Sequence, residues 1–225
     1  GRALSNPRGW IRLVEHGYAF VAVDVRGRGD SEGEWTPWLE DASDGHEVIE
    51  WAARQSWCDG KIGMVGGSYE GLTQWWTAIA RPRHLKCIAP LCVGAVRSDR
   101  PFGNGIPTQY WLWWLSLVMG RTRQYPGAAA WEAAVMHTPL RSLDERVGMS
   151  RSAWQRYVKR EIDYFRGVEP EAFAGIDIPV LVGVGWWDDQ ETMRGWCEVQ
   201  RAKSAKGCRL LIGAWDHGGN LVPRP

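Results

Sequence analysis

Apolar residues along the chain fall into short unbroken runs, separated by stretches whose apolar positions recur at helical spacing. "WIRLVEHG" (10–17) reads as the end of a helix, with Gly17 just past its last turn. "YAFVAVDV" (18–25) is continuous and rich in β-branched residues, which predicts a buried parallel strand. "RGRGDSEGEW" (26–35) is a glycine-rich loop. In "LEDASDGHEVIEWAARQS" (39–56), Val48, Ile49, Trp51, Ala52 and Ala53 follow a helical stripe, and acidic residues stand near its start, where the helix dipole favours them. "KIGMV" (61–65) predicts a short strand, "GLTQWWTAIA" (71–80) a buried helix and "LKCIAPLCV" (85–93) the next strand. From about residue 94 to 175 the pattern is mostly helical, with no clear strand. "IPVLVGVG" (178–185) then resumes the strand pattern. "ETMRGWCEVQRAKSA" (191–205) reads as a helix weakened by Gly195, and "CRLLIGAW" (208–215) as the last strand.

Alternation of helix and strand from residue 10 to 93 argues for a parallel α/β sheet flanked by helices. The expected organisation is a core in two parts, 1–93 and 176–225, interrupted by a helical insertion at 94–175. At 225 residues the chain is long enough to bury a sizeable core. Its formal net charge of +1, without basic or acidic blocks, gives no footing for nucleic acid or an anionic membrane surface. No apolar run approaches the roughly 18 residues of a membrane span. Cys58, Cys87, Cys92, Cys197 and Cys208 are scattered without a CxxC pair, which favours reduced thiols, a cytoplasmic setting and no zinc site. Sixteen tryptophans supply core and, for some, an aromatic pocket. "GRALSNPRGW" carries neither an initiator Met nor a signal-peptide pattern, so the chain reads as part of a longer protein.

"GMVGGSYEG" (63–71) sets Ser68 among four glycines between a predicted strand and a predicted helix. Glycine is costly to order, so such a cluster marks a tight turn or a close backbone approach. A serine there suggests a nucleophile elbow. Open α/β sheets place their sites at the C-terminal ends of strands. Two later strand ends carry reactive groups: "WWDD" brings Asp188 and Asp189, and "WDHGG" brings Asp216 and His217. The order serine, aspartate, histidine suits acyl transfer. A hydroxyl needs a base, His217, to become a nucleophile; a buried carboxylate must hold the imidazole tautomer; the developing oxyanion needs fixed donors, first the N–H of Tyr69.

Four segments make a resemblance specific. "DVRGRGDSEGEW" (24–35), "WCDGKIGMVGGSYEG" (57–71), "GWWD" (185–188) and "GAWDHGG" (213–219) resemble, in order, the motifs of the family of cocaine esterase, α-amino-acid ester hydrolases, glutaryl acylases and X-Pro dipeptidyl-peptidases, the CocE/NonD-type serine hydrolases. The resemblance implies an α/β-hydrolase fold with an inserted helical cap, Ser68 as nucleophile, Asp188 as acid and His217 as base, and no cofactor or metal. It also implies a second oxyanion donor, a tyrosine hydroxyl in a Pro-Tyr segment ahead of the first helix. "SNPRGW" (5–10) has the proline but no tyrosine, and the family's C-terminal jelly-roll domain has no counterpart in these residues. In a second frame, "DQE" resembles the amino-acid ester hydrolases and makes Asp189 the acid. Glu191 then matches a carboxylate that binds the substrate's α-ammonium, and Asp99 matches a further one.

Several motifs also have plain readings. Asp24 and Arg26 brace their loop, Asp30 and Ser31 belong to its turns, and "RGDS" (28–31) falls inside it by coincidence. No GxxxxGK[ST] accompanies the glycine cluster, which removes a phosphate cradle. His16, His46, His84 and His137 are structural or solvated. Trp113, in the tryptophan run at 110–114, is core of the insertion or lines an acyl pocket. The expected activity is hydrolysis of an ester or amide through an acyl-enzyme, with a small-molecule ester, amide or short peptide as substrate. X-Pro dipeptidyl-peptidase activity is the alternative within enzymes, and a silent hydrolase-fold protein the alternative outside them. A homo-oligomer is compatible with the sequence. Acylation should slow as pH falls and His217 protonates, because imidazolium cannot accept the serine proton.

Overall fold

The computed structural model describes residues 7–36, 39–94, 102–103, 106–107, 109–118, 120–122, 128–147, 168–188, 192–202 and 207–218. The chain divides into two compact units, residues 1–37 with 99–165 and residues 38–98 with 166–225.

The second unit holds a four-stranded parallel sheet. Its elements are α1 (Asp41–Ala53), β1 (Ile62–Gly67), α2 (Tyr69–Ile79), β2 (Leu85–Leu91), β3 (Val180–Gly185), α3 (Thr192–Ala202) and β4 (Cys208–Gly213), with a 3-10 turn at Pro170–Gly175. The strand order is β1-β2-β3-β4 and every pairing is parallel. Consequently all four strands end on the same edge, which is where an open parallel α/β sheet places chemistry. Period two sorts each strand's residues between faces. Ile88, Val180 and Val182 point to one face and are buried with Trp75 of α2, Phe173 of the 3-10 turn and Val199 of α3. Trp75 and Phe173 meet edge to face with centroids 5.4 Å apart, an arrangement worth about 0.5–1.5 kcal/mol beyond area burial. The other face carries Val65, Leu181 and Leu211, all exposed. α1 packs on α2.

A fully buried glutamine ties this layer together. Gln74 Nε2 donates to the carbonyls of Gly66 (3.2 Å) and Glu70 (2.9 Å), and its Oε1 accepts the N–H of Ala89 (2.9 Å). At 1 % exposure no water can replace these bonds, so the side chain locks the end of β1 and the start of α2 to β2.

The first unit holds α4 (Pro7–Glu15), a two-residue hairpin of β5 (Phe102–Gly103) with β6 (Ile106–Pro107), α5 (Gln109–Val118), α6 (Ala128–Val135) and α7 (Asp144–Val147). Gly17 follows α4 in the left-handed region (φ 86°), which ends the helix as expected. The glycine-rich loop is braced from α5 and its following turn. Gly29 N–H donates to the Arg121 carbonyl, the Arg28 guanidinium donates to the Val118 carbonyl, and Arg28 lies over the Trp35 ring. Ser31 Oγ donates to the Asp24 carbonyl (2.6 Å).

Two sequence expectations are corrected. Residues 18–25 form no strand: they carry no ladder bonds, and Val21 and Val23 are exposed. Apolar β-branched composition raises strand propensity, but a strand exists only where a neighbour pairs its backbone, and no described strand pairs with this segment. The region without a clear strand contains the β5–β6 hairpin, too short for any period-two pattern to register. Elsewhere the predicted strands at 61–65, 85–93, 178–185 and 208–215 form β1, β2, β3 and β4 with ends shifted by one to two residues. No described helix is long and apolar enough to cross a membrane.

Candidate active site

Ser68 sits where β1 ends and α2 begins, with φ 58° and ψ −126°. A non-glycine residue rarely holds a positive φ, and such backbone strain persists only where the surroundings over-determine it. Here its N–H donates to the Leu91 carbonyl (2.9 Å), and its carbonyl accepts from Gly71 (2.9 Å) and Leu72 (3.0 Å). The flanking glycines are required by space. A Cβ at Gly66 would lie 2.6 Å from Glu70 Cβ, and one at Gly71 would lie 2.6 Å from Val93 Cγ1 and 3.0 Å from the Leu91 carbonyl oxygen. The cluster therefore lets a strand turn sharply into a helix while lifting one hydroxyl off the sheet edge.

Asp188 follows β3 in a turn closed by its N–H on the Gly185 carbonyl (3.1 Å). His217 follows β4, in a turn where Gly218 N–H donates to Asp216 Oδ1 (2.9 Å). The two turns are laced together, with Trp186 N–H donating to the Gly213 carbonyl (2.8 Å). The three side chains then meet in a line. His217 Nδ1–H donates to Asp188 Oδ1 at 2.8 Å, and Ser68 Oγ–H donates to His217 Nε2 at 3.0 Å. Asp188 is 4 % exposed at its side chain and His217 49 %. A carboxylate so buried interacts strongly with the imidazole, and the half-open imidazole can reach both the serine and an arriving substrate. The geometry can deprotonate a serine and stabilise the imidazolium that results.

Two neighbours were not singled out from sequence. Cys92 follows β2 with φ 58°, its N–H donating to the Gly183 carbonyl (2.8 Å). Burial first, then the hydrogen bond and charge of Asp188 and the charge of Asp216, pushes its thiol up to about 12. It therefore stays protonated beside the aspartate and is no thiolate nucleophile. Asp41, the first residue of α1, is 8 % exposed and accepts the Tyr69 hydroxyl at 2.8 Å. Burial raises its carboxyl from 3.8 to about 6. The Tyr69 hydrogen bond works against that rise, and the charges of Asp44 and Glu40 add to it. An acidic residue at a helix start was legible, but only as a dipole partner; a bond across 28 positions leaves no sequence signal.

The Asp41 shift has a stability consequence. Between about 4 and 6 the folded chain holds this proton and the unfolded chain does not. Asp41 therefore favours folding at low pH, and that contribution is lost as pH rises through about 6. Asp41→Asn removes the ionisation. Its unfolding free energy relative to wild type is expected to rise by up to about 3 kcal/mol between pH 4 and 7.5. Urea denaturation of both chains at each pH measures it, and a difference independent of pH would contradict it.

Of the other candidates, Asp189, Glu191 and Asp99 lie outside the described residues. Trp113 is half-buried in α5 of the first unit, and its carbonyl accepts Ser116 Oγ (2.7 Å). Among the remaining histidines, His84 is held by Glu50 (2.8 Å), His137 by Ser142 (2.8 Å) and His16 by the Arg12 carbonyl (2.7 Å), in keeping with structural roles.

Comparison with known proteins converges on one family. The model of the X-Pro dipeptidyl-peptidase (S15 family) matches residues 2–219. Cocaine esterase from Rhodococcus sp. (strain MB1 Bresler) is 31 % identical over 249 residues, which cover 96 % of this chain and 41 % of that protein. Among solved structures, an aminopeptidase from the marine sediment archaeon Thaumarchaeota archaeon superposes with a TM-score of 0.68 at 19 % identity, over 87 % of this chain and 37 % of its own. A CocE/NonD family hydrolase from Staphylococcus aureus gives 0.55 at 25 % identity, over 85 % and 32 %. The chain spans about two fifths of the length of the curated esterases it matches.

Proposed function

Because the chain belongs to the X-Pro dipeptidyl-peptidase (S15) family, we propose that it carries the nucleophile, base and acid of a serine hydrolase that cleaves ester or amide bonds. The observation that supports this most is the hydrogen-bonded line from Asp188 through His217 to Ser68. Ser68 Oγ attacks the acyl carbon while His217 Nε2 takes its proton. Asp188 stabilises the imidazolium and fixes the tautomer. The oxyanion forms against the Tyr69 N–H, at the positive end of α2. His217 then protonates the leaving group, and a water activated by the same imidazole releases the acid and restores Ser68. The line to Asp188 supports that residue over Asp189 as the acid. The expected insertion at 94–175 belongs to this reading, with its last stretch, Pro170–Gly175, packed on the sheet through Phe173, and the scattered free thiols suit a cytoplasmic setting.

The substrate class is a simple acyl ester, in keeping with the cocaine esterase relative. The family description favours a second reading, release of an X-Pro dipeptide. Rates on a p-nitrophenyl acyl ester and on an X-Pro p-nitroanilide separate the two. The ester is expected to show the higher kcat/KM by about a hundredfold or more. Faster turnover of the X-Pro anilide would establish the second reading instead.

A further inference from the structure

We propose that Asp41 is a positioning residue for the nucleophile turn: through the Tyr69 hydroxyl it holds in place the residue whose backbone N–H faces the oxyanion. The inference rests on the reading of Ser68 as nucleophile and Tyr69 as oxyanion donor. Tyr69 is the first residue of α2 and follows Ser68 directly. Ser68 makes no side-chain capping bond to that helix, since its Oγ is engaged by His217. The start of α2 must therefore be held by other means. The Gln74 amide secures it to β2 and β1, accepting the Ala89 N–H and donating to the Gly66 and Glu70 carbonyls. On the side of α1, the bond from the Tyr69 phenol to Asp41 Oδ2 does the same at 2.8 Å. A phenol fixed at its far end constrains both side-chain torsions of Tyr69, and with them the direction of its backbone N–H.

The environment of Asp41 argues that this bond is its role. An acid in the first turn of α1 suits the helix dipole, but Asp44 in the same turn already supplies that. The dipole does not require a carboxyl more than nine-tenths buried. Ionising it there opposes folding above pH 6, as its raised carboxyl shows. A group kept at a cost to stability beside a reactive centre is the expected mark of function.

The test is a double-mutant cycle on the chain, using Asp41→Ala, Tyr69→Phe and the double variant, with Asp41→Asn as the conservative control. A fluorophosphonate ester gives the rate of Ser68 modification, and a p-nitrophenyl acyl ester gives kcat and KM. Each single variant is expected to react about ten- to a hundredfold more slowly, through kcat with KM nearly unchanged. The double variant should be no slower than the slower single, because both remove one bond. Asp41→Asn keeps an acceptor for the phenol and is expected to retain most of the wild-type rate. If Asp41→Ala does not fold, Tyr69→Phe and Asp41→Asn still decide the matter. Wild-type rates in Tyr69→Phe, or multiplying losses in the double variant, would overturn the inference while leaving Ser68 labelled. A wild-type chain that is not modified at Ser68 would remove the underlying reading and this inference with it.

Discussion

Ser68→Ala is expected to lower ester turnover by about five orders of magnitude while leaving thermal stability nearly unchanged. Oγ is the atom that would bond the acyl carbon, and no other hydroxyl is hydrogen-bonded to His217 among the described residues. Alanine removes one oxygen from a half-buried site and leaves the Leu91, Gly71 and Leu72 bonds of the turn in place, since those use backbone atoms. Residual turnover would come from oxyanion stabilisation alone. Steady-state hydrolysis of a p-nitrophenyl acyl ester measures the loss. A fall of less than tenfold would mean that acyl transfer does not pass through Ser68.

Asp188→Asn is expected to reduce kcat by about ten-thousand-fold, close to the effect of losing the base itself. The reason is a tautomer. Asp188 Oδ1 accepts from His217 Nδ1–H, which leaves Nε2 bare toward Ser68. An asparagine that presents its amide N–H toward Nδ1 favours the opposite tautomer, with the proton on Nε2. The imidazole then cannot take the serine proton. Asp189→Asn is expected to cost far less. Measuring kcat for both variants decides between the two frames of the "WWDD" segment, and a larger loss at Asp189 would reverse the assignment.

Legibility followed the range of the forces involved. β1, β2, β3 and β4 were readable because each is a short apolar run bounded by turn residues, and period and composition are local properties. Residues 18–25 share that composition yet carry no ladder, because pairing depends on a neighbour and not on the segment. The candidate triad was readable through motif order, and the parallel register brings Ser68, Asp188 and His217 to one edge of the sheet. What holds the turn was not. Gln74 looked like one more residue of a buried helix, Asp41 like a dipole partner and Cys92 like a stray thiol. Their roles come from burial and from hydrogen bonds to distant partners, across 8 and 15 positions for Gln74, 28 for Asp41 and from Cys92 to Gly183, for which a single sequence has no periodicity to display.

Intact-mass analysis after treatment with a fluorophosphonate tests the central claim most directly, because that reagent reacts only with a serine already activated by its neighbours. The account predicts a single adduct on the wild-type chain and none on Ser68→Ala. No adduct on either chain, or the same adduct on both, would contradict it.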